Sequence, residues 1–135
     1  MTTYNVQPSE PESDRWSAQL RKGALEMAVL ASLWSGSLYG LEIIRFLDQR
    51  SNLALAEGTI YPLLSRLKAE GMLTSEWVEA DAGHPRKYYS LTDPGRTRLR
   101  AMAQSWAAFS AGLDRLLEPV LKNEEVSHDE QAADR

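Results

Sequence analysis

The sequence predicts a mainly α, α+β fold, a winged helix-turn-helix with a long C-terminal dimerisation helix. Three observations lead there. Three segments up to Gly71 carry apolar residues at helical spacing, the period then becomes that of a β-hairpin between Leu73 and Leu91, and a final stripe runs in steps of three and four from Leu99 to Val120. Three helices and then a hairpin, with an amphipathic third helix, is the element order of a winged helix.

The first helix is expected over Trp16 to Trp34. Trp16, Leu20, Met27, Leu30 and Trp34 lie near one face, Leu25, Val29 and Leu33 lie near another, and Gly36 ends the run. A helix apolar on two sides has two partners, and Trp16, Trp34 and Trp77 are assigned to the core and its margins. The second segment, Leu41 to Leu47 (LEIIRFL), spaces Leu41, Ile44 and Leu47 helically between Gly40 and Ser51-Asn52. In the third, Glu57 to Gly71, Ile60, Leu63, Leu64 and Leu67 fall at i, i+3, i+4 and i+7. Gly71 suits a C-cap. Pro62 has no amide hydrogen and is expected in the first turn, which sets the helix start within Glu57 to Thr59. Leu73 to Glu79 and Arg86 to Leu91 read as strands around a turn at Asp81 to Pro85. Thr92 is the expected N-cap of the last helix, which has Pro94 in its first turn and ends near Val120.

The 135-residue chain has room for one core. Residues 1–15 and 123–135 are acidic, lack apolar periodicity and read as disordered, leaving a winged helix-turn-helix domain over 16–92 and a dimerisation helix over 93–122. Without Cys, and with two distant His (His84, His128), the sequence offers no disulfide, thiolate or metal cluster, so neither metal nor cofactor is expected. Glu42, Asp48 and Glu57 make no acid pair, and neither a Ser/His/Asp set nor a phosphate-binding Gly loop occurs, so no catalytic residue and no enzyme are expected. No run approaches the roughly 20 apolar residues of a membrane span, and a cytoplasmic location without membrane contact is expected.

Net charge is −4, but its distribution is uneven. Residues 1–14 carry −3, residues 101–135 carry −4, and residues 15–100 carry +3, so the middle can face an anion while the ends repel it. On the third helix the face opposite the apolar positions holds Tyr61, Pro62, Ser65 and Lys68, flanked by Thr59 and Arg66. Such donors and short polar groups can enter a major groove, although a solvated outer face would show the same residues. The hairpin adds His84, Arg86 and Lys87 near its tip, where a wing reaches phosphates or a minor groove; a charged turn that keeps a sheet edge soluble is the alternative.

Leu20 to Gly36 (LRKGALEMAVLASLWSG), Leu38 to Ile44 (LYGLEII), Glu57 to Pro62 (EGTIYP), Arg66 to Gly71 (RLKAEG) and Gly83 to Gly95 (GHPRKYYSLTDPG) together resemble the PadR family of bacterial transcriptional regulators. The similarity covers roughly residues 20–100. It implies a winged-helix homodimer, usually a repressor, that releases its operator when an effector binds. It maps recognition residues onto Gly58, Thr59, Tyr61, Pro62 and Ser65, with Tyr39 at the start of the preceding helix and Arg86 and Lys87 on the wing. Two positions depart from the family pattern. Ala56 stands where a capping Ser or Asn is frequent, so a cap of the third helix comes from Thr59 or from nothing. His84 stands where Arg or Lys is common; one reading is a phosphate contact made only by the charged imidazole, with binding that strengthens as pH falls through about 6.5, and the alternative is a solvated turn histidine.

The last helix carries Leu99, Met102, Trp106, Phe109, Leu113, Leu116, Leu117 and Val120, a stripe that a monomer leaves in water and that is read as a dimer face. A single terminal helix resembles the small PadR subfamily, in which an aromatic residue meets its symmetry mate across the dimer; Trp106 matches that position. Two facing indoles would stack on a planar aromatic effector. The small Ala103 and Ser110, either side of Trp106, suit an open slot, whereas a Trp that only packs the interface would look the same.

These readings combine into a ligand-responsive repressor. Its partners are a second copy of itself and double-stranded DNA, a pseudo-palindromic operator that takes one third helix per half-site. Arg66, Lys68, Arg86 and Lys87 contact phosphates, with Thr59, Tyr61 and Ser65 near bases. The alternative is a winged-helix module that binds another protein and no DNA, which the overall acidity favours.

Overall fold

The structure, a computed structural model, describes the backbone of residues 9–80 and 83–134 and the side chains of 15–80 and 83–123. Its elements are α1 (Ser9–Ser32), β1 (Leu38–Tyr39), α2 (Gly40–Ser51), α3 (Glu57–Ala69), β2 (Leu73–Val78), β3 (Arg86–Leu91) and α4 (Asp93–Asp134). The strands form an antiparallel sheet in the order β1-β3-β2, with Leu38 opposite Tyr89, and Leu73 opposite Leu91 through to Val78 opposite Arg86. The chain divides into two compact units, residues 1–99 and 100–135.

The first unit is a winged helix. Its core gathers Val29, Leu30 and Leu33 from the end of α1, Ile43 and Leu47 from α2, Ile60, Leu64 and Leu67 from α3, Leu73 and Tyr89 from the wing, and Leu99 from α4. On α3 the expected face is the buried one, with Leu63 at its half-buried margin. On α2 the buried line is Gly40, Ile43 and Leu47, one position away from the expected Leu41 and Ile44, which are half-buried. A residue without a side chain gives no hydrophobic signal, so Gly40 was invisible to the pattern.

Several expectations are corrected. The backbone is helical from Ser9; residues 1–8 lie outside the described residues. It is also helical through residues 123–134, a stretch without Gly or Pro. Helix α1 stops at Ser32, short of Gly36, and the buried Ser32 hydroxyl donates to the Val29 carbonyl at 2.6 Å. Trp16 and Trp77 are not core residues, being 62% and 67% exposed, because both stand beyond the reach of the buried cluster. Trp34 is an exposed margin, with the Arg96 guanidinium 4.8 Å above its ring. Helix α3 starts at Glu57, within the expected Glu57 to Thr59, but Pro62 is then its sixth residue and lies in the second turn, not the first; it gives up the hydrogen bond to the Gly58 carbonyl, and both residues are on the exposed face.

The turn into the wing and the entry to α4 are built on one another. Helix α3 closes with Gly71 at φ +83°, the Gly71 N–H donating to Lys68 and the Met72 N–H to Leu67, the pairing of a Schellman cap. Thr92 caps α4, its hydroxyl accepting from the Gly95 N–H at 3.0 Å and donating to the Gly71 carbonyl at 2.6 Å. The Thr92 N–H donates to the Met72 carbonyl at 3.1 Å. Gly95 packs so closely on that carbonyl that a Cβ there would overlap it. These contacts explain why the first unit extends to Leu99 and not to residue 92. Leu99, 7% exposed, belongs to this core and is removed from the expected dimer stripe.

The second unit is the remainder of α4. Trp106, Phe109, Leu113, Leu116, Leu117 and Val120 are all exposed there, joined by Leu121, and Met102 is half-buried. The Trp106 and Phe109 rings lie 6.4 Å apart. Ala103 is exposed, and the half-buried Ser110 turns its hydroxyl to the Ala107 carbonyl at 3.3 Å. Pro119 sits within the helix.

Candidate nucleic-acid interface

Helix α3 presents Gly58, Tyr61, Pro62 and Ser65 at i, i+3, i+4 and i+7 on the side away from Ile60, Leu64 and Leu67, and all four are exposed, as are Thr59 and Lys68. Its N-terminus has no side-chain cap. Ala56, in extended conformation, supplies only its carbonyl, which accepts from the Thr59 and Ile60 N–H groups at 3.0 and 3.1 Å. Of the two alternatives the sequence left, a Thr59 cap or none, the structure has the second. The first amides of α3 therefore stay open to solvent or to an anion.

Tyr39 begins α2 and its N–H donates to Glu42 Oε1 at 3.1 Å, the backbone half of a capping box. Pairing with β3 sets its ring edge-on to Tyr88, centroids 5.4 Å apart, and Arg86 lies 4.6 Å over it. The Tyr61 ring crosses from α3 onto Gly40, so close that a Cβ at Gly40 would meet it at 2.6 Å; only a glycine admits the ring there. Tyr89 lies beneath, and burial, followed by the neighbouring Tyr61, pushes its phenol above the usual value.

These contacts enclose a cleft of about 410 Å³ between α2, α3 and the wing, lined by Tyr39, Gly40, Leu41, Tyr61, Trp77, Pro85, Arg86, Lys87 and Tyr89. Four residues expected from the sequence, Tyr39, Tyr61, Arg86 and Lys87, are thus brought together. Lys87 lies 5.7 Å from the centre of the Trp77 ring and 5.9 Å from that of Tyr89. Among the described residues neither Arg86 nor Lys87 has a carboxylate partner, so both cations are held by aromatic faces and can be given to an incoming anion. His84 is exposed beside the Gly83 turn, where the Gly83 N–H donates to Ala80; Asp81 and Ala82 lie outside the described residues.

Arg66 does not belong to this surface. Its two terminal nitrogens donate to Glu26 and Glu70, each at 2.9 Å, and Arg98 donates to Glu70 at 2.8 Å and stands 3.6 Å from Glu26. Two arginines and two glutamates from α1, α3 and α4 form a neutral quartet. Hydrogen bonds donated to Glu26 and then to Glu70 raise the Arg66 value further, and those received from Arg98 and then Arg66 hold Glu70 below the usual carboxylate range. Trp77 is the residue that sequence reasoning missed here. Strand alternation puts it on the same face as Tyr89, but the strand runs past the core, so that face opens into the cleft.

Among the described residues no group of acids and histidines could hold a metal ion, and no helix is long and apolar enough to cross a membrane. Residues 29–101 match the family model described as transcriptional regulator PadR-like. A PadR family transcriptional regulator from Eggerthella lenta is 33% identical, with 84% of this chain and 98% of that one covered at a TM-score of 0.75. A PadR-like regulator from Bacillus cereus is 34% identical over 73% of this chain and 96% of its own, with a TM-score of 0.67. A transcriptional regulator of Mycobacterium tuberculosis is 31% identical over 60% of this chain and 74% of its own length.

Proposed function

The chain belongs to the transcriptional regulator PadR-like family, and from that premise we propose that it is a ligand-responsive repressor, a homodimer that binds a pseudo-palindromic operator in the cytoplasm. The family is one of regulators and not of enzymes, so no turnover is assigned. The observation that carries the reading is the cleft in which Tyr39 and Tyr61 meet two cations, Arg86 and Lys87, that have no carboxylate partner among the described residues, beside the exposed face of α3. In this reading α3 enters the major groove with Gly58, Thr59, Tyr61, Pro62 and Ser65 toward the bases. Lys68, His84, Arg86 and Lys87 take phosphates, as do the open amides of Glu57 and Gly58 at the start of α3.

Dimerisation is supported by the exposed stripe from Trp106 to Val120, an apolar surface that a second copy of the same helix would cover. Trp106, with Ala103 and Ser110 beside it, is the proposed effector platform, and planar aromatic compounds are its ligand class. A ligand held between protomers would change the spacing of the two α3 helices and so favour one DNA-binding state.

Fluorescence anisotropy of a labelled duplex from the region upstream of its own gene tests this, at two salt concentrations and with or without a planar aromatic dye. Tight, salt-sensitive binding that the dye reverses is expected. Binding that ignores the dye removes the effector role from Trp106. Failure to bind at either salt leaves the protein-interaction module as the better account.

A further inference from the structure

Trp77 is the most conspicuous feature of the cleft that the recognition reading does not use. It stands on β2, the edge strand of the sheet, directly opposite Lys87 in the register, and 67% of its surface meets solvent. A large ring left in water at a sheet edge is an adhesive liability that edge strands ordinarily avoid. Its indole N–H has no acceptor among the described residues, while the Lys87 ammonium sits over its face at 5.7 Å. The ring shares the cleft with Tyr61 of α3, so it is on the side of the wing that faces the recognition helix. A duplex seated on α3 and touched by the wing must pass one sugar–phosphate strand through this gap.

We propose that Trp77 is a DNA-contact residue for that strand, packing its ring on a deoxyribose and donating its Nε1–H to a phosphate that Lys87 neutralises. The proposal rests on the DNA-binding reading above. An indole suits the task because one end is apolar and the other is a hydrogen-bond donor. Since sugar and phosphate carry no base information, the contact adds affinity without choosing sequence.

The test compares wild type, Trp77→Ala, Trp77→Phe and Lys87→Gln on two labelled duplexes, the upstream region and a scrambled sequence of equal length. Trp77→Ala is expected to weaken both by about tenfold and by the same factor, with the salt slope unchanged, whereas Lys87→Gln, which removes one cation from each protomer of the dimer, lowers the slope by about 2. Duplex should quench tryptophan emission in wild type, and Trp77→Phe should abolish that quench while melting at the wild-type temperature. Should Trp77→Ala melt lower, the Trp77→Phe emission decides. Wild-type affinity in Trp77→Ala, an unchanged quench in Trp77→Phe, or a loss confined to the upstream duplex overturns the assignment. A wild type that binds neither duplex removes the DNA-binding reading itself and this inference with it.

Discussion

Replacing Gly95 by alanine sets two physical effects against each other with opposite signs. Helix propensity alone favours the change by up to about 1 kcal/mol, since Gly95 lies in the first turn of α4. Its surroundings oppose it. The new Cβ would overlap the Met72 carbonyl oxygen, stand 3.0 Å from the carbonyl carbon and 3.3 Å from Leu91 Cδ2. The obstacle is backbone, and that carbonyl already accepts the Thr92 N–H and leads directly into β2. Relief must therefore break the Thr92 bond, worth about 1 kcal/mol, or pull the first turn of α4 off its Thr92 cap, worth about as much, with overpacking strain of about 1–3 kcal/mol besides. Set against the propensity gain, a net loss of about 1–3 kcal/mol is expected, or a fall of about 5–15 °C in melting temperature for a domain of this size. Far-UV circular dichroism at a fixed protein concentration measures it. Gly23→Ala is the control, because nothing lies within 4 Å of a Cβ there and α1 should gain about 0.5–1 kcal/mol. A Gly95→Ala protein melting at or above wild type would refute the argument.

Gly40→Ala should leave the fold intact but push the half-exposed Tyr61 ring aside, lowering duplex affinity about tenfold by anisotropy; an unaltered affinity would mean that the placement of Tyr61 is immaterial. Glu70 has its carboxyl held low by Arg98 and Arg66, so its contribution to stability is complete above the unfolded carboxylate value and disappears as pH falls through the lowered one. Urea midpoints taken at about pH 6 and about pH 3 should accordingly drop more for wild type than for Glu70→Gln, and equal drops would show the quartet to be inert. Trp106→Ala should weaken planar dyes by about tenfold, as expected of a lost stacking partner, while DNA binding stays measurable; unchanged dye affinity would make Trp106 a packing residue.

What the sequence made legible is what periodicity and turn chemistry encode. The buried face of α3, the Gly71 cap, the Thr92 cap and the strand Arg86–Leu91 all follow from local pattern, and each is where it was expected. Strand β1 was not legible, since two residues have no period and Leu38–Tyr39 is extended only because β3 offers it a ladder. The same limit applies to Arg66. On a helical wheel it flanks the exposed face, and nothing local reveals that Glu26, forty residues earlier, takes its charge. Trp77 failed for the opposite reason: its period was read correctly, but burial depends on where the core ends, which alternation along one strand does not record. Tyr61 was found from its position on α3, whereas its resting place on Gly40 needed the tertiary structure.

The closed Arg66–Glu26–Glu70–Arg98 quartet also limits how many counterions a bound duplex can set free. With Arg66 and Arg98 occupied, Lys68, Arg86 and Lys87 are the proposed phosphate ligands of each protomer, and about three displaced ions per protomer correspond to a log–log slope of about −5 for a dimer. The whole chain carries −4, so outside these cations it is repelled by DNA. In the DNA-binding reading, such a protein holds random sequence less firmly than one with more free cations. It would find its operator by repeated free encounters more than by sliding, and would leave most of the chromosome unoccupied while doing so.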